Sequence, residues 1–184
     1  SMKSDRNPIS TITTRLKTPD SIREKMLRRD IPLNLDALED QLFDVAGVRI
    51  VCPFLDDVYL LADCLLQQDD IQLVQRKDYI KNPKENGYRS LHLIIEVPIF
   101  LPAGKKMVKV EVQLRTIAME SWANLEHKLR YKKDLDEELQ NMMSRELKEC
   151  AALSASLDEK MQNIRHSIDI KKWYNSIIEE MGKE

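Results

Sequence analysis

SLHLIIEVPIFLPAGKKMVKVEVQLRT, residues 90–116, is the stretch that decides the fold. In its first half Leu91, Leu93, Ile95 and Val97 alternate with Ser90, His92, Ile94 and Glu96. In its second half Val108, Val110, Val112 and Leu114 alternate with Lys109, Glu111, Gln113 and Arg115. Successive side chains on a strand point to opposite faces, so the second half has one apolar and one polar face, and the first nearly so. Pro102-Ala103-Gly104 between them is a turn signal. The two halves are predicted to form an antiparallel hairpin with one face on a core and the other open.

The neighbouring segments extend this hairpin into a domain. VRIVCPF, residues 48–54, reads as a strand with Val48, Ile50 and Cys52 on one side and Arg49 and Val51 on the other. IQLVQR, residues 71–76, is a second short strand. Between them, Asp57 to Leu66 carries the helical stripe Val58, Leu61, Leu65. Upstream, Thr18-Pro19 opens a helix, with Thr as the cap and Pro at the first position. On it Ser21, Lys25 and Arg28 share one face. A further helix is predicted from about Asp36 to Val45. Lys77 to Tyr88 is a loop with turn signals at Asn82-Pro83 and Asn86-Gly87.

Downstream, Thr116 caps a helix reaching Tyr131. A long helix is predicted over 135–168, with Leu139, Met142, Met143, Leu147, Leu153, Leu157 and Met161 buried, and a separate helical segment over 171–181. Trp122 and Leu125 read as core. The fold class is α+β: a mixed β-sheet flanked by helices, with a C-terminal helical extension. The expected organisation is a flexible segment over 1–14, one domain over 15–133 and the extension over 134–184.

The chain has 184 residues, enough to bury roughly 70% of its unfolded surface without disulfides. Cys52, Cys64 and Cys150 are odd in number and widely spaced, which fits reduced cysteines and excludes a zinc pattern. No apolar run is long enough to span a membrane, and no signal-peptide pattern opens the chain. The expected location is therefore cytoplasmic. Ser1 before Met2 reads as a tag remnant.

Net charge is only −2, but the charges are uneven. Residues 15–29 carry Arg15, Lys17, Arg23, Lys25, Arg28 and Arg29 against Asp20 and Glu24. Residues 76–89 carry Arg76, Lys77, Lys81, Lys84 and Arg89 against Asp78 and Glu85. Two basic stretches in a near-neutral chain point to a local anionic ligand. The four glycines build neither a P-loop nor a dinucleotide fingerprint. A triphosphate would then be held by side chains and a metal, with Arg the best suited. His92, His127 and His166 are too scattered for a metal cluster and receive no ligand role.

Asp44 precedes the strand that carries Arg49, and Glu111 lies on the polar face of another strand. Two such carboxylates could hold one Mg²⁺, which takes carboxylate and phosphate oxygens. Spacing alone favours a solvated glutamate at 111. Likewise Ser21, Lys25 and Arg28 alone fit an ordinary solvated helix face, and Tyr88 fits a surface tyrosine equally well. Arg49 is harder to leave without a role, because an arginine within VRIV on a central strand needs a partner.

Four stretches together resemble the synthetase domain of the RelA/SpoT family in its small, stand-alone form. They are RLKTPDSIREKMLRR (15–29), DVAGVRIVCPFLDDVYLL (44–61), KDYIKNPKENGYRSLHLI (77–94) and EVQLRTIAMESWANLEHKLRYK (111–132). They stand in the family's order and cover most of residues 15–132. The resemblance implies a nucleotidyltransferase-like fold. It also implies transfer of a diphosphate from ATP to the 3′-hydroxyl of GDP or GTP, giving AMP and ppGpp or pppGpp.

By matching position, the resemblance makes Asp44 a magnesium ligand and Glu111 the residue that completes the metal site, activates the acceptor hydroxyl, or does both. Arg15 and Arg49 match arginines that sandwich adenine. Lys17, Lys25 and Arg28 match contacts to the ATP phosphates, with Ser21 on their face. Tyr88 matches the tyrosine that stacks on guanine. Lys77, Lys84, Arg89, Gln113, Arg115 and His127 fall inside the matched motifs on the guanine-nucleotide side. Glu120 stands where many relatives have Asn or Asp, and a carboxylate there is compatible with guanine N1 and N2.

Relatives of this kind have a further helix before the first motif, and only fourteen residues precede Arg15, so the chain is expected to be a shortened form. The resemblance further implies a bacterial homotetramer, and the basic cleft suits a single-stranded RNA regulator. Two other readings stay open at this point. One is a toxic relative that modifies adenine nucleotides or tRNA 3′ ends. The other is a non-catalytic module that binds alarmone or RNA; Asp44 and Glu111 facing phosphates speak against it.

Overall fold

The computed structural model describes residues 7–130 and 135–181. Residues 1–6 of the expected flexible segment lie outside the described residues, as do Tyr131 at the expected helix end and the 133/134 boundary. Among the described residues the elements run β1 (Thr11–Leu16), α1 (Pro19–Arg28), α2 (Leu35–Gln41), β2 (Ala46–Cys52), α3 (Leu55–Leu66), β3 (Gln72–Asp78), β4 (Leu91–Leu101), β5 (Gly104–Thr116), α4 (Ile117–Arg130) and α5 (Glu137–Met181). The five strands form one sheet in the order β1-β2-β5-β4-β3. β2 and β5 are parallel, and the other neighbours are antiparallel, so the sheet is mixed as expected.

The hairpin forms as its alternation predicts. Leu101 pairs with Gly104 across Pro102-Ala103, and Gly104 has φ 123°, a conformation that disfavours any side chain. The apolar face of β4 and β5 presents Leu91, Leu93, Ile95, Val112 and Leu114 to Val58 and Ala62 of α3, with Cys52 of β2 in the same core. Each of these eight residues is at most 3% exposed, so this is the main hydrophobic core. A second, smaller core joins α1 to α2 through Met26, Ile31, Ala37 and Leu42. Thr18 caps α1, accepting from the Ser21 amide, and Asn34 caps α2, accepting from the Ala37 amide at 2.8 Å.

Three differences from the sequence reading matter. Residues 11–14, expected to be loose, belong to β1, because β2 supplies the hydrogen-bonding partner. The second helix ends at Gln41 and not at Val45, because Leu42 turns extended and drops into the small core. The C-terminal region is one continuous 45-residue helix rather than two segments.

The side of α5 that docks is the expected one only where it meets α4, at Leu147 and the partly buried Met143. Leu147 and Ala151 pack on Trp122, whose indole N–H donates to the Leu147 carbonyl at 3.0 Å. Further along, the docked positions are polar. Asp158 pairs with Arg89 and accepts from the Thr116 hydroxyl at 3.0 Å. Arg165 Nη1 donates to Asp57 at 2.9 Å. Leu139, Met142, Leu153, Leu157 and Met161, expected inside, lie exposed, as does Leu125 of α4. Buried ion pairs hold the second half of α5, and its apolar stripe faces away.

Arg89 is 8% exposed and has Asp158 as its carboxylate partner, so removing that partner strands a buried charge. Asp158→Ala is expected to cost about 3–5 kcal/mol of stability, read by urea denaturation with helical circular dichroism. A loss below about 1 kcal/mol would mean that the pair does not hold α5.

Candidate active site

The polar face of the sheet carries the candidate residues in two rows. Register pairs Arg15 of β1 with Gly47 of β2, and Gly47 with Glu111 of β5. The next row runs Thr13, Arg49, Gln113, His92 and Lys77 across all five strands. Residues paired across a ladder share a face. A cleft of about 490 Å³ opens over β1, β2 and β5, lined by Thr13, Thr14, Arg15, Lys17, Asp44, Gly47, Val48, Arg49, Glu111 and Gln113.

Asp44 sits in the turn between α2 and β2, at one end of this cleft. The backbone amide of Lys17 donates to the Val45 carbonyl at 2.9 Å, which sets Lys17 beside Asp44. Met26 is buried in the α1–α2 core, which turns its neighbour Lys25 toward the same carboxylate. Lys17 and Lys25 both bond to Asp44 Oδ2. Burial opposes an ionised Asp44, but the two lysine hydrogen bonds outweigh it and hold the carboxyl below its ordinary range. Lys25 is pushed the other way, below the ordinary lysine range, by burial and by Lys17 beside it, despite Asp44. Two ammonium groups on one carboxylate oxygen leave net positive charge at the cleft, suited to an anion.

The other oxygen, Asp44 Oδ1, is buried and finds no hydrogen-bond partner among the described residues. A buried orphan acceptor is costly and asks for a partner, and a cation is one that fits. Asp44 and Glu111 sense each other's charge. Among the described residues no group of three or more His, Cys, Asp or Glu could hold a metal. A cation here would have two protein carboxylates and would need its remaining ligands from substrate and water. That donor set fits Mg²⁺.

Glu111 is the anchor of a closed hydrogen-bonded ring. His92 Nδ1 lies 3.3 Å from Glu111 Oε1, and Gln113 Nε2 donates to Glu111 Oε2 at 3.2 Å. Arg115 Nη2 donates to Gln113 Oε1 at 2.9 Å and to the Tyr88 hydroxyl at 2.6 Å. Tyr88 Oη and His92 Nε2 are 2.8 Å apart and close the ring. Where Nε2 of the neutral imidazole is unprotonated, it accepts from the Tyr88 hydroxyl. In the neutral ring the imidazole proton is then on Nδ1 and donates to Glu111. The His92 hydrogen bond is the largest influence on Glu111. With Gln113 it keeps that carboxyl below its ordinary range against burial.

A branch leaves the ring toward β2. Arg115 Nη1 donates to Glu120 Oε2 at 2.7 Å, and Arg49 Nη1 donates to Glu120 Oε1 at 3.1 Å. Burial opposes charge on Glu120, but Arg115 and Arg49 prevail and keep its carboxyl below the ordinary range. On the other side, Tyr88 lies in a box of rings and cations. Lys84 Nζ is 5.0 Å and Arg115 Cζ 5.1 Å from its ring centre, and Tyr79 and His92 meet it edge-on.

The structure therefore gathers Arg15, Lys17, Lys25, Asp44, Arg49, Glu111 and Gln113 around one cleft, with Tyr88, Lys84, Arg115 and Glu120 joined to it through the ring. Ser21 shares the Lys25 face of α1 and lies 3.0 Å from the Thr18 hydroxyl, while Arg28 is exposed further along that face. Lys77 shares the second row but sits exposed on the edge strand. His127 is exposed on α4 and outside the cleft lining. Arg89 is not brought to the cleft, because it is spent on Asp158 of α5. His92 received no role from the sequence, yet it touches both Glu111 and Tyr88. Counting back from the hairpin turn pairs 92 with 113, so the register was the signal that could have found it.

The family model described as a region found in RelA/SpoT proteins matches residues 14–136. The chain is 44% identical over 163 residues to the GTP pyrophosphokinase YwaC of Bacillus subtilis, covering 89% of this chain and 77% of that protein. Its fold matches the crystal structure of small alarmone synthetase 1 from Bacillus subtilis bound to its product pppGpp. That match has a TM-score of 0.79 and 38% identity, and covers 90% of this chain and 82% of that one. The same synthetase bound to AMPCPP matches with a TM-score of 0.70 and 34% identity, covering 90% and 81%.

Replacing His92 removes the strongest stabiliser of ionised Glu111. In His92→Ala the Glu111 carboxyl is expected to titrate at higher pH than in the wild type, followed by carbon-13 NMR of the side chain. An unchanged or lower titration point would break the His92–Glu111 link.

Proposed function

This chain belongs to the RelA/SpoT family, and on that footing we propose that it is a (p)ppGpp synthetase carrying the β,γ-diphosphate of ATP to the 3′-hydroxyl of GDP or GTP. The new bond joins the acceptor 3′-oxygen to the β-phosphorus. The bond from that phosphorus to the oxygen bridging it to the α-phosphate breaks, and AMP leaves. The observation that carries this reading is the end of the cleft, where two lysines crowd one oxygen of Asp44, the other oxygen is orphaned, and Glu111 lies in its field.

The residues divide the work along the cleft. Arg15 and Arg49 flank the adenine by stacking and cation–π attraction. Lys17 and Lys25, with Ser21 and Arg28 on the same helix face, neutralise the phosphates. Asp44 and Glu111 would hold Mg²⁺, whose charge would offset that of the phosphates. Tyr88 offers a ring to the guanine, and Lys84, Lys77 and Arg115 add positive charge on that side. Glu111, kept ionised by His92 and Gln113, takes the proton of the acceptor hydroxyl. Glu120, with both oxygens engaged, acts here as the brace between Arg49 and Arg115. Arg89 serves the docking of α5.

No helix among the described residues is long and apolar enough to cross a membrane. The reading extends to a cytoplasmic bacterial enzyme. The exposed stripe on α5, including Leu153, Leu157 and Met161, supports a homo-oligomer, by resemblance a tetramer. The exposed basic face of α1 is where single-stranded RNA would compete.

With Mg²⁺, ATP and GDP or GTP, the protein is expected to form AMP and a guanosine tetra- or pentaphosphate in equal amounts, separated by ion exchange. Adenine nucleotides and tRNA in the acceptor panel test the other transfer, and product with those alone would overturn the choice of acceptor. Glu111→Gln is expected to bind nucleotides but lose about 10²–10⁴-fold in kcat. Wild-type turnover in that variant would remove Glu111 from proton transfer. Light scattering is expected to give four copies, and a monomer would refute the assembly.

A further inference from the structure

The turn that carries Tyr88 is fastened to α5 on both sides of that residue. On one side Gly87 lies against Ala151. A Cβ built at Gly87 would stand 2.6 Å from the Ala151 Cβ, 3.6 Å from the Trp122 ring and 3.7 Å from the Lys148 Cα. On the other side Arg89 pairs with Asp158. Ala151 and Asp158 are both buried and lie two turns apart on one face of α5. Between these attachments Tyr88 extends its hydroxyl to the sheet, 2.8 Å from His92 Nε2, and accepts there from Arg115 at 2.6 Å.

The turn is stiff enough to pass a displacement on. The Gly87 amide donates to the Lys84 carbonyl at 2.8 Å, the Lys84 amide to the Tyr88 carbonyl at 3.1 Å, and the Tyr88 amide to Asn86 Oδ1 at 3.1 Å. Tyr88 also leans on the cluster of Trp122, Leu147 and Ala151. The closest approach of turn to helix is made by a bare backbone against a methyl group, a contact with no side-chain torsion to absorb a change. We propose that Ala151 is a positioning residue for the acceptor side: its methyl against the Gly87 backbone sets where the Tyr88 ring stands beside the guanine. α5 then shapes the acceptor site without touching the nucleotide. This rests on the functional reading above, in which Tyr88 offers its ring to the guanine.

The test adds one methyl group and then removes its obstacle, in Gly87→Ala and in the double variant Gly87→Ala with Ala151→Gly. In the single variant the turn must retreat by roughly 1 Å to reach ordinary contact with Ala151. In the double variant it need not, although Gly87 has φ 93°, a strained conformation for alanine, in both. KM for GDP and for ATP, binding of GDP, binding of a non-hydrolysable ATP analogue with Mg²⁺, and the thermal midpoint are measured for each. In Gly87→Ala the KM and dissociation constant for GDP are expected to rise about tenfold, with ATP and analogue values unchanged. In the double variant the GDP values are expected to return to within about threefold of wild type, while the midpoint stays below it, because the strain remains and glycine weakens the helix. Wild-type GDP values in Gly87→Ala overturn this proposal alone. So does an equal loss for both nucleotides, or a double variant no better than the single one, since the backbone strain at residue 87 is then the cause. If Gly87→Ala does not fold, the double variant decides: wild-type-like GDP binding supports the contact, and an unfolded or GDP-impaired protein overturns it. A wild-type protein that binds neither GDP nor the analogue overturns the functional reading as well.

Discussion

The parallel pairing of β2 with β5 is the constraint on which the site depends. Among the described residues it is the one parallel ladder, and it sets Gly47 against Glu111 and Arg49 against Gln113. A shift by one residue would turn the polar set of one strand into the core and its apolar set into the cleft. The core enforces the register from below, because Val48, Ile50 and Cys52 must meet Val110, Val112 and Leu114 over α3. Hydrophobic packing on one face thus fixes the chemistry on the other to within a residue.

On that platform the charges are arranged as unfinished business. Asp44 carries two lysines on one oxygen and nothing on the other, while Arg49 Nε and Arg115 Nε are buried without partners. Glu111 lies in the opposite condition, with its two oxygens engaged by His92 of β4 and Gln113 of β5. One carboxylate is thereby held by two lysines, cations that suit a triphosphate. The other is held in place and ionised. The ring through His92, Tyr88, Arg115 and Gln113, with Glu120 leading to Arg49, joins Glu111 to Arg49 in one network. Networks of this kind act as a unit, so single replacements are expected to reach beyond their own contacts.

Much of this was legible in the chain. The alternation over residues 90–116 specified the hairpin and its two faces, and Thr18-Pro19 specified the start of α1. What escaped is instructive. β1 buries neither face, because all six of its residues are exposed, and its distant partner β2 makes it a strand. The docking face of α5 is polar at Asp158, Gln162 and Arg165, and hydrophobic periodicity is blind to buried ion pairs. The apolar stripe it did detect is real but faces outward. Arg89 lay inside a matched motif yet serves α5, since a motif gives neighbours along the chain and not the direction of a side chain. His92 and Glu120 acquire their roles from contacts across strands and elements, which spacing along one segment does not encode.

The chemistry of this cleft is defined by which group crosses it and in which direction. The most direct measurement supplies ATP labelled at the β-phosphorus, with Mg²⁺ and GDP, and follows the label by separation of products. The label is expected on the 3′-position of the guanine nucleotide, with AMP unlabelled and formed one for one. Label released as free pyrophosphate, or retained in ADP while only the γ-phosphoryl moves, would contradict it.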